Sequence, residues 1–140
     1  MSGKRFLDSN TLVYCVDEDD KQKQQTARGL VASLLNDRTG RISTQTLQEF
    51  FNVSVKKLKR NKSTGQKDVT DFADAFPVHT NTVKDILEAI TISIKDQLSF
   101  YDSLIIAAAK AEGCEIVYSE DLNDGQEVDG VKIVNPFLQE

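Results

Sequence analysis

The feature that most constrains the fold is a change of period along the chain. Short apolar runs alternate with stretches whose apolar residues recur at helical spacing. "RFL" (5–7), "RIST" (41–44), "EIVYS" (115–119) and "VKIV" (131–134) read as strands, and "VHT" after Pro77 as a brief one. Between them lie four helical faces: Ala27, Leu30, Val31, Leu34 and Leu35; Leu47, Phe50, Phe51, Val55 and Leu58; Val69, Phe72, Ala73 and Phe76; and Val83, Ile86, Leu87, Ile90 and Ile94. "SFYDSLIIAAAKAEG" (99–113) is apolar enough to be buried, with Gly113 as its C-cap. "TLVYCV" fits a short helix or more strand, "KSTGQ" (62–66) is the most loop-like stretch, and "NPF" ends the last strand. This alternation predicts an α/β sandwich around a largely parallel sheet, formed as one domain over residues 1–140.

The totals exclude several classes. A chain of 140 residues, 39% hydrophobic and 28% charged, suits a soluble globular protein. It has no twenty-residue apolar span for a membrane helix. "MSGKRFLDSN" lacks a signal peptide's hydrophobic region, so the cytoplasm is the expected location. Cys15 and Cys114 belong to no pair motif and read as buried free thiols. His79 is the only histidine, so a zinc site has no support and any metal is held by oxygen. The run Asp17, Glu18, Asp19 and Asp20 lacks the spacing of a calcium loop and reads as acids before a helix.

A net charge of −5 argues against a general nucleic-acid coat protein, but charge placement matters more than the total. In "KKLKRNK", Lys56, Lys57, Lys59, Arg60 and Lys62 form a basic cluster with two readings. One is a solvated helix C-terminus, the other a phosphate contact.

In open parallel sheets, ligands bind beyond the carboxyl ends of the strands. Asp8 follows the first strand, and Ser119, Glu120 and Asp121 follow "EIVY". Asp102 begins a helix, and Glu49 lies near the start of the helix after "RIST". Each has an ordinary explanation: Ser99 and Asp102 fit a capping box, and Asp121, Asn123, Asp124 and Gly125 fit turn chemistry. Four carboxylates at one rim would repel one another, and a divalent cation resolves the conflict. Oxygen-only ligands favour Mg2+ or Mn2+.

"FLDSNTLVY", "ISTQTLQEFFNV" and "LSFYDSLIIAAAKAEGCEIVYSEDLNDGQEVDGVKIVNPF" together resemble PIN-domain ribonucleases, especially VapC-type toxins of prokaryotic toxin–antitoxin pairs. The resemblance covers both ends and most of the middle, leaving out residues 61–80, and is most specific from Ser99 onward. It implies a PIN-like three-layer α/β/α sandwich with a largely parallel central sheet. It also implies metal-dependent endonucleolytic cleavage of RNA, with Asp8, Glu49, Asp102 and Asp121 as the acidic site. Asp8, Asp102 and Asp121 would hold the Mg2+ or Mn2+, and Glu49 would position water or act as base. Asn10 and Ser119 would orient the site, with Glu120 or Asp124 as supplements to Asp121. Further implications are a homodimer and a cognate antitoxin that covers the acidic pocket. Phe50, Phe51 and Tyr14 are candidates for such contacts, with core packing as the alternative.

Two rival functions stand beside this one. A haloacid-dehalogenase-like Mg-dependent phosphoryl hydrolase also ends its first strand in an aspartate, but expects a second acid where this chain has Asn10. A PIN-like domain that binds RNA or a partner without turnover is the other.

Overall fold

In a computed structural model the described residues are 3–138. The elements run β1 (Lys4–Leu7), α1 (Ser9–Val16), α2 (Lys21–Asp37), β2 (Gly40–Ser43), α3 (Thr44–Lys56), α4 (Lys62–Ala75), β3 (Val78–His79), α5 (Val83–Asp96), α6 (Phe100–Ala111), β4 (Cys114–Tyr118), β5 (Glu127–Val128) and β6 (Val131–Val134). The sheet order is β3-β2-β1-β4-β6-β5, and all pairings are parallel except β5 with β6. The strand order therefore reverses direction between β1 and β4, where an open sheet leaves a crevice at its carboxyl edge.

Alternating side chains on the strands build two cores. Phe6, Val117, Val131 and Ile133 pack with Ala89 and Ile92 of α5 and with Leu104 to Ala109 of α6. Leu7, Ile42 and Tyr118 pack on the other face with Leu12 and Val13 of α1, Leu34 of α2, Phe50 of α3 and Phe76. The sheet is the middle of three layers, as expected. α6 is buried almost all round from Ser103 to Ala109, and its alanines let it lie close between the sheet and α5.

Several local expectations resolve or change. "TLVYCV" is helical within α1, because Asp8 caps the helix by accepting the Ser9 N–H. Asp20 likewise caps α2 by accepting the Lys23 N–H, so the acid run before it serves a helix start. "KSTGQ" is not a loop but the first turn of α4. Asn61 is its N-cap, and Gly65 is there because a Cβ would stand 3.2 Å from the Phe51 ring of α3. Gly and Ser imitate loop composition while serving a cap and a close helix crossing. Strand β5 has no counterpart in the sequence expectations. Phe50 is core and stacks edge-on against Phe72, whereas Phe51 and Tyr14 are only half-buried. Both thiols are free and buried, and burial pushes Cys15 up to about 11 and Cys114 up to about 12.

The largest departure concerns α5. Its apolar stripe faces solvent: Val83, Leu87 and Ile94 are 72%, 60% and 76% exposed, with Ile86 and Ile90 partly so. The buried face carries Asp85, Ala89 and Ile92 instead. Small residues suit the close packing on α6, and Asp85 is held by His79. Helical spacing identifies an apolar face but not which side the core is on.

His79 of β3 bonds Asp85 of α5 at 2.8 Å and Glu112, the C-cap of α6, at 2.9 Å; Arg41 lies 4.0 Å from Glu112. Burial lowers the imidazole's proton affinity, but the two carboxylates outweigh it and the net shift is upward. A raised histidine contributes stability that is complete below its unfolded pKa of about 6.5 and is lost as pH rises through the folded value. Denaturant unfolding is expected to show a contribution to stability that is lost as pH rises above about 6.5. His79→Asn should flatten that slope, which the same titration checks.

Candidate active site

The site begins with the polar end of β1. Asp8 is 5% exposed, and both of its oxygens are occupied. Oδ1 accepts the Ser9 N–H at 2.7 Å, and Oδ2 accepts the Ser119 hydroxyl at 2.8 Å and the Asn10 amide at 3.4 Å. Burial pushes the Asp8 carboxyl up to about 6; the Ser119 and Ser9 bonds oppose this, and the charges of Glu49 and Asp121 add to it. Ser119 is fully buried at the end of β4, and its oxygen also accepts the N–H groups of Asp121 and Leu122. Asn10 donates to Asp121 at 3.2 Å and accepts the Glu120 N–H. Asn10 and Ser119 thus tie the end of β1 to the loop after β4, across the point where the strand order reverses.

The other two acids come from helices. Glu49, on α3, accepts the Ser9 hydroxyl at 3.0 Å with one oxygen and the Gln45 amide at 3.2 Å with the other. At α6, Ser99 accepts the Asp102 N–H as N-cap, but the reciprocal half of a capping box is not formed. The Asp102 carboxylate therefore has no helix-capping duty. Asp8, Glu49, Asp102 and Asp121 all line one cavity of about 320 Å3, with Ser9 and Gln45 on the same wall. Four elements distant in sequence deliver four acids to one place.

The sequence matches a family model over most of its length. The model for the PIN domain covers residues 5–129. The chain belongs to the PIN domain family. Solved structures agree on the fold of this PIN domain. It is similar to the sarcin–ricin-loop-cleaving toxin VapC20 of Mycobacterium tuberculosis, with 16% identity and a TM-score of 0.65 over 84% of this chain and 90% of that one. It is also similar to VapBC2 of Rickettsia felis bound to a promoter DNA fragment (16%, TM-score 0.69, 92% and 96% covered). DNA-bound VapBC of Salmonella typhimurium gives 20% identity and a TM-score of 0.66, covering 94% and 97%. A comparison with curated protein sequences gives no match.

Among the described residues of this PIN domain, no three His, Cys, Asp or Glu side chains are gathered tightly enough to grip a metal ion as they stand. The donor chemistry nonetheless fits a hard divalent cation. All four acids are oxygen donors, and Asp8 carries an unfavourable buried charge that a cation would offset. The Gln45 Oε1 atom is buried on the same wall without a hydrogen-bond partner. Mg2+ keeps several of its waters when bound, so it does not need all four acids in direct contact.

The remaining candidates of the PIN domain lie outside this cavity. Glu120 turns away to accept the Tyr14 hydroxyl at 2.7 Å and to pair with Lys23. Asp124 accepts the Asn135 N–H and ties the loop before β5 to the end of β6. The basic cluster is divided: Lys56 ends α3, Lys57 caps it, Lys59 sits at a left-handed turn, and Lys62 opens α4. Arg60 pairs with Asp68 at 2.6 Å and ties the α3–α4 connection to α4. Sequence reading missed Gln45 and Ser9, which hold Glu49 in place. The i, i+4 spacing of Gln45 and Glu49 was the available signal for the first.

Ser119→Ala should leave the buried Asp8 carboxylate and two loop N–H groups short of a partner, costing roughly 1–3 kcal/mol. Because the Ser119 bond lowers the Asp8 pKa, its loss should also move any Asp8-dependent pH profile upward. Denaturant unfolding and a pH–rate profile check the two effects.

Proposed function

We propose that this PIN domain is a metal-dependent endoribonuclease, the toxin of a toxin–antitoxin pair acting in the cytoplasm. The observation that carries the reading is the convergence of Asp8, Glu49, Asp102 and Asp121 on one cavity, with Asp8 buried against its own charge. Asp8, Asp102 and Asp121 would hold Mg2+ or Mn2+. Such an ion supplies Lewis acidity, lowering the pKa of water and offsetting charge on a phosphate. The chain's own part is to orient and to move protons. Asn10 and Ser119 fix Asp8 and Asp121, while Ser9 and Gln45 hold Glu49 where it can take a proton from attacking water. The acids repel RNA by themselves, so Lys56, Lys57, Lys59 and Lys62 are the proposed contacts to its phosphates, with Arg60 held in its ion pair.

The exposed apolar stripe of α5 supports a homodimer, since a sustained apolar helix face is rarely left to water. A groove of about 560 Å3 between α3 and α4, lined by Leu47, Phe51 and Val69, offers an apolar seat for an antitoxin segment. Membership in a group of similar folds that includes toxin–antitoxin complexes supports that partner. No helix among the described residues is long and apolar enough to cross a membrane.

Attack by water, rather than by the RNA 2′-hydroxyl, leaves no cyclic phosphate. With the 3′-oxygen as the leaving group, mass spectrometry of the fragments should find a 5′-phosphate opposite a 3′-hydroxyl. A 2′,3′-cyclic phosphate as the primary product contradicts this chemistry.

A further inference from the structure

The acid cavity has a neighbour. A second cavity of about 230 Å3 shares Ser9, Val53 and Asp121 with it. Its other walls are mixed: Val13, Tyr14 and Leu58 give apolar surface, Glu120 a carboxylate and Lys57 a cation. We propose that this cavity receives one unpaired base of the RNA, from the nucleotide beside the phosphate that lies over the acids, and that Glu120 reads the edge of that base. The proposal rests on the nuclease reading above and adds to it a residue that selects among bases.

Three observations favour a base over other occupants. The volume is below the roughly 300–1,000 Å3 of sites for drug-sized ligands, so it suits one flat ring system. Asp17, Glu120 and Asp121 on its wall disfavour a phosphate. Glu120 is already paired with Lys23 and Asp121 also lines the acid cavity, which leaves Lys57 to balance Asp17 and little free charge to draw a partner's cationic side chain. A neutral heterocycle with polar edges satisfies all of these conditions.

The reading group is held firmly. Lys23 sits 4.9 Å from the Tyr14 ring centroid and 5.7 Å from that of Phe137, and the two rings meet edge-on at 4.8 Å. Tyr14 donates to one Glu120 oxygen while Lys23 pairs with the other. A carboxylate has about four lone-pair sites, so acceptor capacity remains on each oxygen. Guanine presents two adjacent N–H donors on its pairing edge, whereas uracil presents one donor between two acceptors. Glu120 should prefer the first and oppose the second. A base inside a duplex is stacked and paired, so entry requires an unpaired or extruded nucleotide.

Binding and cutting test this separately. Asp8→Asn protein is mixed with a short single-stranded RNA in which fluorescent 8-vinylguanine, which keeps guanine's pairing edge, is moved through each position. One position should change fluorescence, and the response should disappear when Leu58→Phe fills the cavity, with circular dichroism checking the fold. Wild-type cutting of RNAs carrying guanine, uracil or no base at that position should favour guanine over uracil by about tenfold or more, the effect of one charge-assisted hydrogen bond. Glu120→Gln should erase the preference, the readout being the guanine-to-uracil ratio of cleavage rates within each protein rather than the absolute rate.

RNA bound with no responding position would leave the cavity to a partner protein's side chain and overturn the assignment. Guanine, uracil and abasic RNAs cut at one rate would also overturn it, while the nuclease reading stands. Absence of both RNA binding and cutting overturns the two together.

Discussion

Asp8→Asn is expected to lower RNA cleavage by at least roughly 10³-fold, more than the 10–100-fold typical of losing a group that only supports a metal ligand. The same variant should be no less stable than wild type without metal. The buried Asp8 carboxyl has its pKa pushed from 3.8 to about 6, which corresponds to about 3 kcal/mol of unfavourable burial at neutral pH. A carboxyl raised in this way contributes stability that is complete below its unfolded pKa and is lost as pH rises through about 6. Asparagine has no charge to bury, although it accepts fewer of the Ser9, Asn10 and Ser119 bonds, so about 3 kcal/mol is an upper bound on the gain. Thermal unfolding in EDTA and in Mg2+ separates the effects: Mg2+ should raise the wild-type Tm and leave that of the variant unchanged. Below about pH 6 wild-type metal affinity should weaken about tenfold per pH unit, because Asp8 must lose its proton to bind.

Leu87→Asp is expected to convert a homodimer to a monomer. Leu87 is 60% exposed at the centre of the α5 stripe, between Val83 and Ile94. In a two-fold interface each substitution occurs twice. Losing two buried leucines at about 1.5–3 kcal/mol each weakens association roughly 10²–10⁴-fold, before the cost of two unpaired carboxylates. The monomer itself should be unharmed, because Leu87 is not part of either core. Light scattering across a dilution series checks the mass, and circular dichroism checks the fold. A wild-type protein that is monomeric at high concentration would remove the homodimer from the account.

Strand β4 and helix α6 were legible because their residues have one meaning: a continuous apolar run between polar ends is buried wherever it goes. Asp8 and Asp121 were placed by the same logic, since each follows an apolar strand, and Asp102 by the apolar helix it opens. The apolar side of α5 was legible as a face but not as a direction. What turns it outward is the ion-pair tie of Asp85 to His79 and the alanine surface of α6, both long-range facts. The first turn of helix α4 was hidden because Asn61, Ser63 and Gly65 carry turn chemistry, and only the Phe51 ring across the crossing explains the glycine. The fate of Glu120 was beyond sequence for a similar reason. It adjoins Asp121 in the chain, yet Tyr14 and Lys23 draw it to the neighbouring cavity.

The most direct test of the central claim is cleavage of end-labelled single-stranded RNA by the purified wild-type chain, freed of any partner. It is run first in EDTA and then after Mg2+ or Mn2+ is restored. The account predicts no cutting in EDTA and discrete internal cuts once either ion is present. Cutting that persists in EDTA, or intact RNA at saturating Mg2+ and Mn2+, would contradict the assignment of the four acids to a metal-dependent nuclease site.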